Sequence, residues 1–165
     1  MLKRKLIAHQ MLLHYGTDIL NSAGIQLEAQ FIQHGSVNVL AHSIGVAYLC
    51  LLIAGFLHLQ MDYRSMVRGA LLHDYFLYDW HDGDRSHRLH GFKHPERALR
   101  NAVRDYDLNE VERDIIQRHM FPLTPCPPAT REGAMVCIAD KICAVMETFS
   151  IPYGEGVLPE NEEKN

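Results

Sequence analysis

The chain has 165 residues, 47% of them hydrophobic and 22% charged, with a formal net charge of −4. That is enough chain to bury a proper core, and the charge balance excludes a nucleic-acid binder that works through a broad basic field. The four cysteines form no CxxC pair, which excludes a zinc knuckle or disulfide scaffold and favours the reducing cytoplasm.

Alternation at period two is rare and helical periodicity dominates, so the expected fold class is all-α. The start, MLKRKLIAHQ, has no signal-type apolar core. Helices are expected over residues from about 3 to 20 and from about 25 to 34. Ser36 is placed to cap a long apolar helix ending near Leu59. Its run from Ile44 to Leu59 is short and interrupted by Gly45, Gly55 and His58, which reads as a buried helix and not a membrane span. Asp62 caps the next helix, which runs through Leu71 and Leu72 to about Leu77.

The texture then changes. Tyr78 to His94, YDWHDGDRSHRLHGFKH, is a loop of functional length, rich in His and Asp. Pro95 suits a first helical turn, which puts His94 at the N-cap of a helix ending near Tyr106. Asn109 and Glu112 have capping-box spacing for the next helix, and the prolines of FPLTPCPP stop it. Thr130 caps a last long helix from Arg131 to about Phe149. Residues 150–165 form a Pro-, Gly- and Glu-rich tail suited to loose order or to packing against a partner.

Histidine is the outlier, with 11 copies, and imidazole is both a common metal ligand and the usual acid–base group near neutral pH. His42, the adjacent pair His73-Asp74, and Asp140 each interrupt an apolar helical pattern. Buried polar groups are costly unless satisfied, and one shared metal ion satisfies all four at once. Their N/O donors suit Fe, Mn, Zn or Co. His94 and His119 extend the set to a second ion, with Asp74 or Asp140 as bridge. Two such ions, about 3.5–4 Å apart, polarise phosphoryl oxygens and make hydroxide available near neutral pH. Taken singly, each residue has an ordinary reading. His42 alone is a hydrogen-bonded core histidine, His73-Asp74 a helix-end contact, Asp140 half of an ion pair with Lys141, and His119 a favourable charge at a helix C-terminus.

The order His42, His73-Asp74, Asp140, with LLHD after an apolar helix and ADKI in the last one, resembles the HD superfamily of metal-dependent phosphohydrolases. The resemblance covers residues 31–149. It implies a single helical bundle over residues 1–149, with N-terminal helices in 1–30 packed onto the signature region. It also implies a metal held by His42, His73, Asp74 and Asp140. HPERA and IIQRHM place His94 and His119 where dinuclear members, such as small bacterial proteins that cleave dinucleoside polyphosphates, carry two further histidines; His90 is a rival to His94. Two divalent ions are then expected, Fe or Mn first, with Zn, Co or Ni as alternatives. The GYP tripeptide of cyclic-dinucleotide hydrolases is absent, and YFLYDWH stands where a Gly-Lys often follows the HD pair.

The expected activity is hydrolysis of a phosphate ester or phosphoanhydride, of a nucleotide by resemblance, with metal-activated hydroxide attacking in line and Asp74 steering it. Lys93, Arg97, Arg118 and Lys141 are candidate substrate cations, and Tyr78 and Trp80 candidate stacking partners. The expected partner is a small phosphorylated molecule, with neither nucleic-acid polymer nor membrane, and a homodimer is left open. The rival readings are a di-iron oxygenase on the same six ligands and a non-catalytic helical module with a structural metal.

Overall fold

The computed structural model describes residues 2–81 and 89–151; residues 82–88 of the expected loop and the tail beyond residue 151 lie outside them. The described residues form an all-α fold with one short hairpin. In order they are α1 (Leu2–Leu20), α2 (Ala23–Gln26), a 3-10 turn (Leu27–Gln30), β1 (Ile32–His34), β2 (Val37–Asn38), α3 (Val39–Phe56), α4 (Tyr63–Leu72), α5 (His90–Asp105), α6 (Glu110–Arg118) and α7 (Arg131–Thr148).

Helix α3 is the centre of the bundle, packed on α1, α4 and α7. Its long apolar stretch meets the length and composition of a membrane span, yet 67% of it is buried inside the fold. A helix surrounded on most sides has no polar face to show. Helix α4 lies beside it, with every residue from Ser65 to Leu72 buried. Gly69 lets α4 meet α6 closely, since a Cβ there would lie 2.5 Å from Cδ1 of Ile115. That contact brings the end of α6, with His119, up to the end of α4, with His73.

Several boundaries differ from the sequence expectations, each for a local reason. The helix expected over 25–34 is one turn capped by Ser22, a 3-10 turn, and then the hairpin. Gly35 turns the hairpin at φ +58°, a conformation glycine takes freely. Asn38, and not Ser36, caps α3 by accepting from the Ala41 amide at 2.8 Å. Helix α4 stops at Leu72, because the amides of Tyr75 and Phe76 turn back to Leu72 and Asp74 carbonyls. Helix α5 begins at His90, one turn before Pro95, with the Phe92 and Lys93 amides bonded to Leu89 O. His94 is therefore inside the helix and not its cap. The Asn109–Glu112 capping box and the Thr130 cap of α7 form as read from the sequence.

Candidate metal centre

Five helices deliver six polar side chains to one point inside the bundle. His42 comes from the first turn of α3, His73 and Asp74 from the unwound end of α4, His94 from α5, His119 from the end of α6, and Asp140 from the middle of α7. All six are buried, with Asp140 the most exposed at 7%. The unwinding after Leu72 matters, because two consecutive residues on a regular helix point about 100° apart. Here His73 Nε2 lies 3.4 Å from Asp74 Oδ2, so both face the same space.

The imidazoles are oriented by their other nitrogen. Nδ1 faces a backbone carbonyl in His73 (Ala70 O, 2.7 Å), His94 (His90 O, 3.0 Å) and His119 (Ile116 O, 2.8 Å). A carbonyl only accepts, so each Nδ1 carries a proton, and the neutral form of each ring is the tautomer that turns an Nε2 lone pair inward. His42 is oriented by a carboxylate instead, with Nδ1 2.8 Å from Glu147 Oε2. The lone pairs then meet one another: His94 Nε2 and His119 Nε2 are 2.8 Å apart. Two lone pairs at that distance repel unless a positive centre, a proton or a metal ion, lies between them. His73 Nε2 and Asp74 Oδ1, both buried, have no hydrogen-bond partner at all.

Asp74 joins two groups. Its Oδ2 faces His73 and, at 3.8 Å, His42; its Oδ1 lies 3.1 Å from His94 Nε2 and 3.5 Å from His119 Nε2. On the first side Asp140 Oδ1 stands 3.1 Å from His42 Nε2 and 3.7 Å from His73 Nε2. The sets His42–His73–Asp140 and His73–Asp74–His119 each keep their ligand atoms within 4.8 Å of one another, close enough to share an ion. Neutral imidazole and carboxylate donors without a thiolate fit a divalent Fe, Mn, Co or Zn ion.

Electrostatics without a metal show how strongly the cluster wants positive charge. Burial disfavours charge on His42, but the Asp140 and Glu147 carboxylates outweigh it and push its pKa up to about 10. Burial would raise the pKa of Asp74 and Asp140; the surrounding histidines, His73 foremost for Asp74 and His42 for Asp140, hold both well below the usual carboxylate range. His119 goes the other way, its pKa lowered chiefly by burial, which keeps its ring neutral as a ligand must be.

A cavity of about 830 Å³ opens onto the centre, lined by Asp74, His94, His119 and Asp140 at its floor and by Trp80, Leu89, Met120 and Leu123 on its walls. Of the four candidate cations, Lys141 lines it, with Nζ 2.7 Å from His119 O and 3.5 Å from Asp140 Oδ2. Arg97 places its guanidinium 4.8 Å over the Tyr78 ring, outside the lining. Arg118 sits 3.3 Å from Asp114 on another face, and Lys93 is exposed. His90 stands outside the ligand cluster, its Nδ1 2.8 Å from the Tyr78 hydroxyl and its ring stacked between Trp80 and His94.

Sequence reasoning missed three neighbours. Glu147 lies seven residues after Asp140, two turns along one face of α7, and that spacing was the available signal. Gln33, whose Nε2 donates to Asp74 Oδ2, and His34, whose ring is 5.5 Å from that of His42, come from the unforeseen hairpin and had none.

No curated protein and no solved structure matches the chain. A family model for the HD domain matches residues 39–145, a span that starts at the first residue of α3 and takes in all six converging side chains. With the match covering more than half its length, the chain belongs to the HD domain family, of the superfamily of metal-dependent phosphohydrolases.

Proposed function

We propose that the protein hydrolyses a phosphate ester or phosphoanhydride at a dinuclear centre. His42, His73, Asp140 and Asp74 would hold one divalent ion, and Asp74, His94 and His119 would hold the other. The observation that carries this reading is the two-sidedness of Asp74, whose oxygens face two separate pairs of histidines. Divalent ions bound there would polarise phosphoryl oxygens and lower the pKa of a coordinated water.

The chain supplies the rest. Asp74, reaching both sides, would orient a water placed between them. With two dications bound, two carboxylates would leave the floor of the cavity net positive, suited to an anionic phosphoryl group. Lys141 adds an ammonium at the rim of that floor. The apolar walls exclude bulk water, which strengthens every electrostatic contact inside. A cavity of about 830 Å³ is large for a bare phosphate and has room for a nucleoside, for which Trp80 offers a flat face. The substrate is accordingly read as a nucleotide.

Protein purified without chelator should carry two ions per chain, located at these ligands by anomalous scattering, and should release phosphate from a nucleotide panel with Mn(II) or Fe(II). One ion untouched by His94 and His119 would reduce the centre to a mononuclear one. Oxygen consumption without phosphate release would replace hydrolysis by oxidation. Two tightly held ions and no turnover on a broad phosphate panel would leave a structural metal.

A further inference from the structure

The hairpin β1–β2 precedes the residues matched by the HD model, yet it forms a wall of the centre. It touches three of the elements that carry ligands. Gly35 at its turn sits against the end of α7, where an added Cβ would lie 3.0 Å from Glu147 O. His34 packs its ring edge-on to His42 of α3. Gln33, only 6% exposed, donates from Nε2 to Asp74 Oδ2 at the end of α4.

We propose that Gln33 is a positioning residue for the metal centre: its side-chain amide fixes Asp74 in the orientation that lets the carboxylate serve both ion sites. This rests on the dinuclear reading above. Oδ2 has room for more than one partner. With the Gln33 N–H on one lone pair, the other is directed to the His42–His73 side, and Oδ1 is turned to His94 and His119. The donor is neutral, and that is the physical point. A lysine or arginine at this position would hold Asp74 equally well but would neutralise it, competing with a metal ion for the same charge. An amide orients the carboxylate and leaves its charge for the cation. Partners that orient a ligand in this way commonly govern metal affinity by 10–100-fold when removed (about that range in general). Among the described residues its Oε1 is buried without a partner, so the side chain is poorly satisfied as a packing element alone.

The test is calorimetric titration of chelator-treated protein with Mn(II), for the wild type, Gln33→Met and Gln33→Asn. Methionine keeps the volume and loses the donor; asparagine keeps the amide and is one methylene too short to reach. Both variants should bind Mn(II) about 10–100-fold more weakly, at one ion site at least, and the visible spectrum of the Co(II) form should change. A merely structural role would lower the melting temperature of the metal-free variants and leave the affinity of the folded protein unchanged. Wild-type affinity, within twofold, in either folded variant would overturn the inference about Gln33. A wild type that takes up no metal would instead sink the dinuclear reading itself.

Discussion

Helix α4 carries two buried polar clusters five residues apart, and they differ in one respect. At Arg68 the cluster is closed. The guanidinium Nε donates to Glu112 Oε1 at 2.7 Å, Nη1 pairs with Asp18, and Nη2 donates to Asp107 O at 3.3 Å. Glu112 Oε2 in turn accepts from the Asn109 amide at 3.1 Å, as part of the α6 capping box. Every charge has its opposite, and each guanidinium nitrogen has an acceptor. At His73-Asp74 the cluster is open, with Nε2 and Oδ1 stranded and two histidine nitrogens face to face. Asp18 is exposed, but Arg68 and Glu112 are as buried as His73 and Asp74, so burial does not tell structure from function. What tells them apart is whether the protein completes the cluster or leaves it for something from outside.

That contrast can be broken by mutation. The largest effect is expected from Asp74→Ala, which removes the residue shared by both proposed ion sites. Metal content per chain should fall to background and turnover by about three orders of magnitude, the scale of losing preorganised electrostatic stabilisation. An active, metal-filled Asp74→Ala protein would refute the assignment. At the closed end the reverse pattern is expected. Glu112→Ala leaves a buried guanidinium short of its partner and should lower stability by about 3–5 kcal/mol in urea unfolding. The protein that remains folded should bind metal with unchanged stoichiometry.

Smaller effects sharpen the comparison. Glu147→Ala leaves His42 Nδ1 without the carboxylate that orients the ring, and should weaken metal binding by about 10–100-fold in calorimetry. The pH dependence of the metal-free protein should be milder still. His42 has a folded pKa of about 10 against an ordinary value of 6.5. Its contribution to stability is fully present below 6.5 and is lost as pH rises through about 10. The urea midpoint of chelator-treated protein should therefore decline across that window, and the decline should be shallower in His42→Asn. Metal affinity should move the opposite way over the same range, since a ligating imidazole must be neutral.

Much of this was legible in the chain. The helical class follows from periodicity, and the caps at Asp62, Asn109 and Thr130 follow from residues whose side chains satisfy helix N-termini wherever they stand. His42, His73, Asp74 and Asp140 announced themselves as polar residues set in apolar helices. The hairpin was not legible, because Ile25 to His34 has no helix breaker before Gly35 and its strands are three and two residues long. The start of α5 was misplaced because Pro95 looks like a first helical residue, whereas contacts with Leu89 extend the helix one turn earlier. The candidate cations shared one formal charge, and only their neighbours separate Lys141 at the cavity from Arg118 beside Asp114.

By itself the sequence determined which residues could not rest in a core without a partner, because the cost of burying an imidazole or carboxylate is local and follows from residue type and pattern. The tertiary structure alone decided that they converge on one point. Convergence depends on where α4 unwinds, how closely Gly69 lets α6 approach, and which lone pair each ring turns inward. Those are distances between residues far apart along the chain, set by packing that no single stretch of it encodes.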